Sequence, residues 1–327
     1  MFRWTVFLLL GLAPALPVRA ETPRVAVSIA PIHSLVAGVM EGVATPELTV
    51  KGGASPHTYA LRPSDAKMLA DATIVFWVGR DLETFLVKPL AALAGKAKVV
   101  ELIETPGLRL LPYRKGAAWV SSHGHDHGHD HGHSHGRTNK EKTKKVDRTN
   151  TAEHADTDTH IWLAPANARI LAAAIADVLA ATDPANADRY RANGQKLSER
   201  LTALESEMTA ALAPVRGRPF VVFHDAYQYL EDAFGLTALG AIAVAPEKQP
   251  GPKALATLRG RIKSSGARCI FREPQFPGKL AQTVAEGTEA RIAVLDPEGG
   301  IGTPGPDHYF DLMRANARAL GECLGGG

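Results

Sequence analysis

The chain has 327 residues, 45% of them hydrophobic and 22% charged, which is enough apolar content for more than one packed layer and excludes global disorder. Lys plus Arg number 37 and Asp plus Glu 34, so the formal charge is only +3, without the face-wide basic excess that nucleic-acid binding uses. Thirteen histidines, seven of them in one short stretch, direct attention to metal.

Residues 1–20 read as a secretory signal. Arg3 gives a positive start, Trp4 to Leu12 an apolar run, and Val18-Arg19-Ala20 a small-x-small cleavage pattern before Glu21. A membrane anchor needs about 20 apolar residues, whereas Pro14 and Pro17 interrupt a shorter run here. Cleavage after Ala20 removes Arg3 and Arg19 and takes the formal charge from +3 to +1. No cysteine stands near that position to carry a lipid, so a soluble periplasmic protein is expected.

From Arg24 onward, β-branched runs alternate with amphipathic stretches, the pattern of α/β layers with mostly parallel sheets. Strands are predicted at Arg24–Ala30, Glu47–Gly52, Thr73–Gly79 and Lys98–Leu102, and again at Pro219–His224, Leu236–Val244, Ala267–Pro274 and Ala290–Pro297. Each half therefore holds four strands. Between them, Asp183 suits a cap and Pro184 a first helical turn, and Tyr190, Leu197, Leu201, Leu204, Met208 and Leu212 fall on one face. Pro214 and Gly217 end this helix of about 30 residues, roughly 45 Å long. It is either a stiff connector that limits domain closure or a packed helix inside one larger domain. The expected division is an N-terminal lobe at 21–182, a connecting helix at 183–217 and a C-terminal lobe at 218–327. The N-terminal lobe is interrupted at about 113–158 by a polar insert with little to bury, expected to be disordered.

That insert contains His123, His125, His127, His129, His131, His133 and His135, interleaved with Gly, Asp and Ser. Imidazoles at alternate positions suit zinc, copper and nickel. Nothing fixed stands behind them to orient the rings, so weak, exchangeable auxiliary sites are expected. A second set is dispersed. His57 lies between a strand and a helix, with Gly52, Gly53 and Pro56 suiting a tight turn. His160 lies where the insert returns to the fold, while His224 and Asp296 end strands. All four sit near strand ends or element junctions, the edge at which open α/β sheets bind ligands, and two come from each half. Three imidazoles and a carboxylate satisfy tetrahedral zinc, with Asp296 or water as the fourth ligand. His33 and His308 read as non-ligands and Asp225 as the cap of the next helix. Glu273 and Arg272 form either a buried ionic network or a solvated pair. Cys269 and Cys323 are a disulfide in an oxidising compartment or two buried thiols.

Together the segments GASPHTYALRPSDAKMLADATIVFWVG, THIWLAPANA, FVVFHDAYQYLEDAFGL, REPQFPGKLAQTVAEGT and VLDPEGG, with the His-rich insert, resemble the ZnuA family. Its members are high-affinity zinc-binding proteins of ABC transporters. The likeness runs across nearly the whole mature chain in family order. It implies two four-stranded α/β lobes joined by a long helix, a metal cleft held by His57, His160 and His224, and a Cys269–Cys323 disulfide. Some zinc-binding members carry a glutamate immediately before the first histidine, where this chain has Pro56. Related manganese or iron binders combine an aspartate at the Asp296 position with a carboxylate at the third ligand position, here His224. A histidine-rich set favours zinc over the harder manganese.

The expected function is non-enzymatic: capture of periplasmic Zn2+ between the lobes and delivery, as a monomer, to an inner-membrane ABC permease with its cytoplasmic ATPase. The same role for Mn2+, Fe2+ or another transition metal is the near alternative. A secreted zinc hydrolase is the alternative of another class, since three ligands plus water also describe a catalytic site. The chain carries no H-E-x-x-H pattern or nucleophile elbow to support it.

Overall fold

All eight predicted apolar runs contain a strand in the computed structural model, which describes residues 22–115, 156–243 and 250–326. The signal segment and the seven clustered histidines lie outside the described residues. In the first half β1 (Val25–Val27), β2 (Glu47–Leu48), β3 (Ile74–Trp77) and β4 (Lys98–Glu101) form one sheet in the order β2-β1-β3-β4. In the second half β5 (Pro219–Val222), β6 (Thr237–Ala241), β7 (Cys269–Arg272) and β8 (Arg291–Val294) repeat that order as β6-β5-β7-β8. Every pairing is parallel. Strands β1 and β3 are buried along their whole length, as expected of parallel strands covered on both faces. Each sheet reverses its winding between its two central strands. At the carboxyl edge of such a reversal the departing loops diverge and leave a crevice.

Helices α1 (Ala30–Val39), α2 (Pro63–Asp71), α3 (Val87–Leu93) and α4 (Pro165–Thr182) belong to the first half. The long helix is α5 (Ala187–Leu212), followed by α6 (Gln228–Phe234), α7 (Pro252–Ser265), α8 (Lys279–Ala285) and α9 (His308–Gly325). Three-residue 3-10 turns at Pro184–Asn186 and Ala213–Val215 extend the helical run of α5 at both ends. Its apolar stripe, Tyr190, Leu197, Leu201, Leu204, Met208 and Leu212, is buried, and α5 packs against α4, α1 and α9. The contact with α4 is close enough that a Cβ on Gly194 would fall 2.9 Å from the Ala176 Cβ. The helix is therefore embedded. One continuous apolar core runs from Val25 in β1 through α5 to Leu324 in α9, with smaller clusters on the far faces of the two sheets.

Cys269 and Cys323 form a disulfide with Cα atoms 6.0 Å apart, tying the start of β7 to the end of α9. Among the described residues no helix is long and apolar enough to cross a membrane.

The two described ends of the polar insert are ordered, contrary to the expectation for 113–115 and 156–158. Pro112 and Thr157 form an antiparallel bridge. The Tyr113 amide donates to Asp156 and the Asp158 amide to Leu111, both at 2.8 Å. This short ladder lies on α6: Gln228 Nε2 donates to the Pro112 carbonyl, the Tyr229 hydroxyl donates to the Asp158 carbonyl, and the Leu111 amide donates to the Tyr229 hydroxyl. Thr157 and Asp158 are buried, so polarity along the sequence hid an anchored base.

Candidate metal centre

The first imidazole is placed by the loop after β2. Gly52 and Gly53 take φ of +69° and +71°, a left-handed conformation that a side chain would strain. The Ser55 hydroxyl then accepts the His57 amide at 3.4 Å. Pro63 opens α2, and Asp65 closes its first turn by accepting the Arg62 amide at 2.9 Å. The Tyr59 hydroxyl donates to Asp65 at 2.8 Å and lies 3.1 Å from the Thr49 carbonyl, which holds the loop close to the sheet.

The second imidazole, His160, leads into a 3-10 turn, Ile161–Leu163. Asp158 accepts both the His160 amide at 3.0 Å and its Nδ1 at 2.7 Å. The third, His224, follows β5. Its Nδ1 lies 2.7 and 2.8 Å from the two oxygens of Glu273, which follows β7, the strand beside β5 across the winding reversal. His160, His224, Asp158 and Glu273 are all at most 2% exposed. Burial works against a charged His224, but Glu273, helped by Asp225 and Asp158, outweighs it and raises the imidazole above its ordinary pKa.

These constraints aim three rings at one point. Ring centroids are 5.6 Å apart for His57 and His160, 5.5 Å for His57 and His224, and 5.2 Å for His160 and His224. One nitrogen from each ring lies within 4.8 Å of the others. The Nε2 atoms of His160 and His224 are 3.3 Å apart. Because each Nδ1 faces a carboxylate and can donate its proton there, the two Nε2 atoms turn toward each other, and a shared cation can take the place of a proton held between them. The separation suits zinc: bonds of about 2.0 to 2.1 Å in a tetrahedron put ligand nitrogens about 3.3 Å apart.

Asp296 does not join the group, and its surroundings explain why. Its Oδ1 accepts the amides of Glu298 and Gly299 and the Gln275 side chain, and its Oδ2 accepts the Ile301 amide. The carboxylate is spent on folding its own loop. Two other expectations are corrected. Glu273 pairs with His224 and not with Arg272. Asp225 does not cap α6, whose cap position is Tyr227, but binds Arg114. His33, read as a non-ligand, pairs with the Pro46 carbonyl at 3.0 Å, and His308, read likewise, is buried at the start of α9.

Around the rings the protein is rich in acid. Burial, reinforced by Glu273 and Asp296, pushes the Glu298 carboxyl well above the usual range. Its Oε1 is 3.4 Å from the Ser55 hydroxyl, across the gap between the two halves. A second crossing is made by Trp162, whose indole donates to the Pro297 carbonyl at 2.7 Å. In a third, Gly53 meets Gly300, where a Cβ on Gly300 would lie 2.8 Å from the Gly53 Cα.

Two parallel α/β lobes around an embedded helix, with buried imidazoles from both lobes converging between acids, define a metal-binding protein of the cleft type. Comparison with known sequences then makes the relationship specific. The family described as zinc-uptake complex component A, periplasmic (ZnuA), matches residues 25–323, and the chain belongs to that family. The high-affinity zinc uptake system protein ZnuA of Brucella abortus (strain 2308) is 46% identical over 311 residues, covering 93% of this chain and 92% of the relative. The protein of the same description from Paracoccus denitrificans is 39% identical, covering 95% and 94%. Among solved structures, the periplasmic zinc-binding protein TroA from Treponema pallidum has the same fold. Its TM-score is 0.73 at 20% identity, with 93% of this chain and 99% of that one covered.

Proposed function

We propose that this member of the zinc-uptake family captures Zn2+ with His57, His160 and His224 and delivers it to an ABC permease served by a cytoplasmic ATPase. Residues 21–182 and 218–327 act as the two lobes, 183–217 as the helix between them, and the mature protein begins after Ala20 and works as a monomer. The observation that carries the reading is the pair of Nε2 atoms 3.3 Å apart, each on a ring whose Nδ1 faces a buried carboxylate. Such carboxylates fix the tautomer and raise the basicity of a metal-bound imidazole. Nitrogen donors also favour zinc over manganese, which suits oxygen ligands. With Asp296 engaged by its own loop, the fourth position falls to water.

Three ligands and a water also describe a hydrolytic centre, but hydrolysis needs a base beside the water. Asp158 and Glu273 are both occupied by imidazoles, and transport is the family's activity.

The test is competitive chelator titration of Zn2+ and Mn2+ on a chain lacking Ser121–Ala155, which isolates the cleft from the clustered histidines. One tight zinc site with much weaker manganese is expected, and His57→Ala or His224→Ala abolishes it. Unchanged affinity and stoichiometry in those variants would overturn the assignment.

A further inference from the structure

Arg114 lies at the described edge of the insert, and its guanidinium spans two acids of the second lobe. Its Nε is 3.0 and 3.2 Å from the two oxygens of Asp225. Its Nη1 and Nη2 reach the two oxygens of Glu231 at 3.0 and 2.9 Å. A planar fork can hold two carboxylates in this way, whereas an ammonium cannot. Both acids are largely shielded, with Asp225 at 14% and Glu231 at 9% side-chain exposure. Removing the cation leaves two desolvated charges uncompensated, a costly state.

The position of this triad gives it a bearing on the metal. Asp225 is the residue after His224. The ladder that carries Arg114 is the one that carries Asp158, and Asp158 binds the His160 ring. Thus one two-stranded strap holds the acid behind one imidazole and grips the residue next to another.

We propose that Arg114 is a positioning residue for the captured metal. By holding Asp225 and Glu231 it keeps the strap seated on α6, and with it Asp158 behind the His160 ring, and so slows zinc release. The inference rests on the zinc-capture reading above and adds a residue that touches no metal.

The experiment measures zinc release from the full mature chain by stopped-flow mixing with a chelator, alongside the visible bands of the Co2+ form and the melting temperature without metal. Tight zinc binding by the wild type is the control: its absence defeats the capture reading, not this one. Arg114→Ala is expected to release zinc about tenfold faster, at the low end of what orienting contacts contribute to metal affinity, with altered Co2+ bands. Arg114→Lys keeps the charge but not the fork, and is expected to release zinc faster than wild type as well. A merely structural role would move the melting temperature alone. Wild-type release and Co2+ bands in Arg114→Ala, or in Arg114→Lys should the alanine variant not fold, would overturn the proposal.

Discussion

The carboxylates behind the imidazoles decide how good a site three histidines make. Asp158 and Glu273 each accept from an Nδ1 at 2.7 Å, and a neutral amide in either place can still accept but no longer stabilises positive charge on the ring. Asp158→Asn or Glu273→Gln is therefore expected to weaken zinc binding about 10- to 100-fold without abolishing it, in contrast to loss of a ligand. Chelator competition reads the difference, and a wild-type affinity in both variants would show that the acids only fill space. Neither acid was legible as a metal-orienting residue. Glu273 stands 49 residues from His224, and Asp158 sits in a polar stretch that resembles solvated chain. The convergence of His57, His160 and His224 could be guessed because junctions between elements are few and, outside the insert, so are histidines. Asp296 was legible only in part: its place after β8 says where the residue lies, but not that four hydrogen-bond donors reach its oxygens.

At the scale of elements, short runs of Val, Ile and Phe bounded by turn residues announce themselves as strands. Helix α5 was equally plain in its apolar stripe. What periodicity could not reveal was the surface receiving that stripe, so the choice between free connector and embedded helix needed the packing of α1, α4 and α9. The disulfide acts at this scale too. It closes a separation of 54 residues, for which constraint of the unfolded chain contributes about 4 kcal/mol. Cys269 begins β7, whereas Glu273 follows the opposite end of that strand, so stability and metal binding separate. Cys323→Ser is expected to lose about 2 to 4 kcal/mol, read from urea midpoints, with zinc affinity within a factor of about three of wild type, less than 1 kcal/mol. A large loss of affinity would mean that the strand's two ends are mechanically linked.

Over the whole molecule, two halves of identical strand order share one core, and the crossings between them are close. One of them is backbone on backbone, at Gly53 and Gly300. Gly300 does not have the positive φ of its neighbour Gly299, so Gly300→Ala tests contact rather than backbone strain. Its methyl would stand 2.8 Å from the Gly53 Cα, forcing the halves apart beside the loop that bears His57. Zinc affinity is expected to fall about tenfold, a cost of about 1.4 kcal/mol, with little change at the remote disulfide. Unaltered affinity would mean that the loops give way and the crossing does not set the cleft's width. The crossing made by Trp162 has a consequence of another kind. Its indole ring lies 5.4 Å from the His160 ring and is fully buried, so a charge arriving on that imidazole falls within the electric field sensed by the chromophore. The protein thus carries its own fluorophore beside the three imidazoles, and zinc binding there is expected to shift its ultraviolet emission without any attached dye.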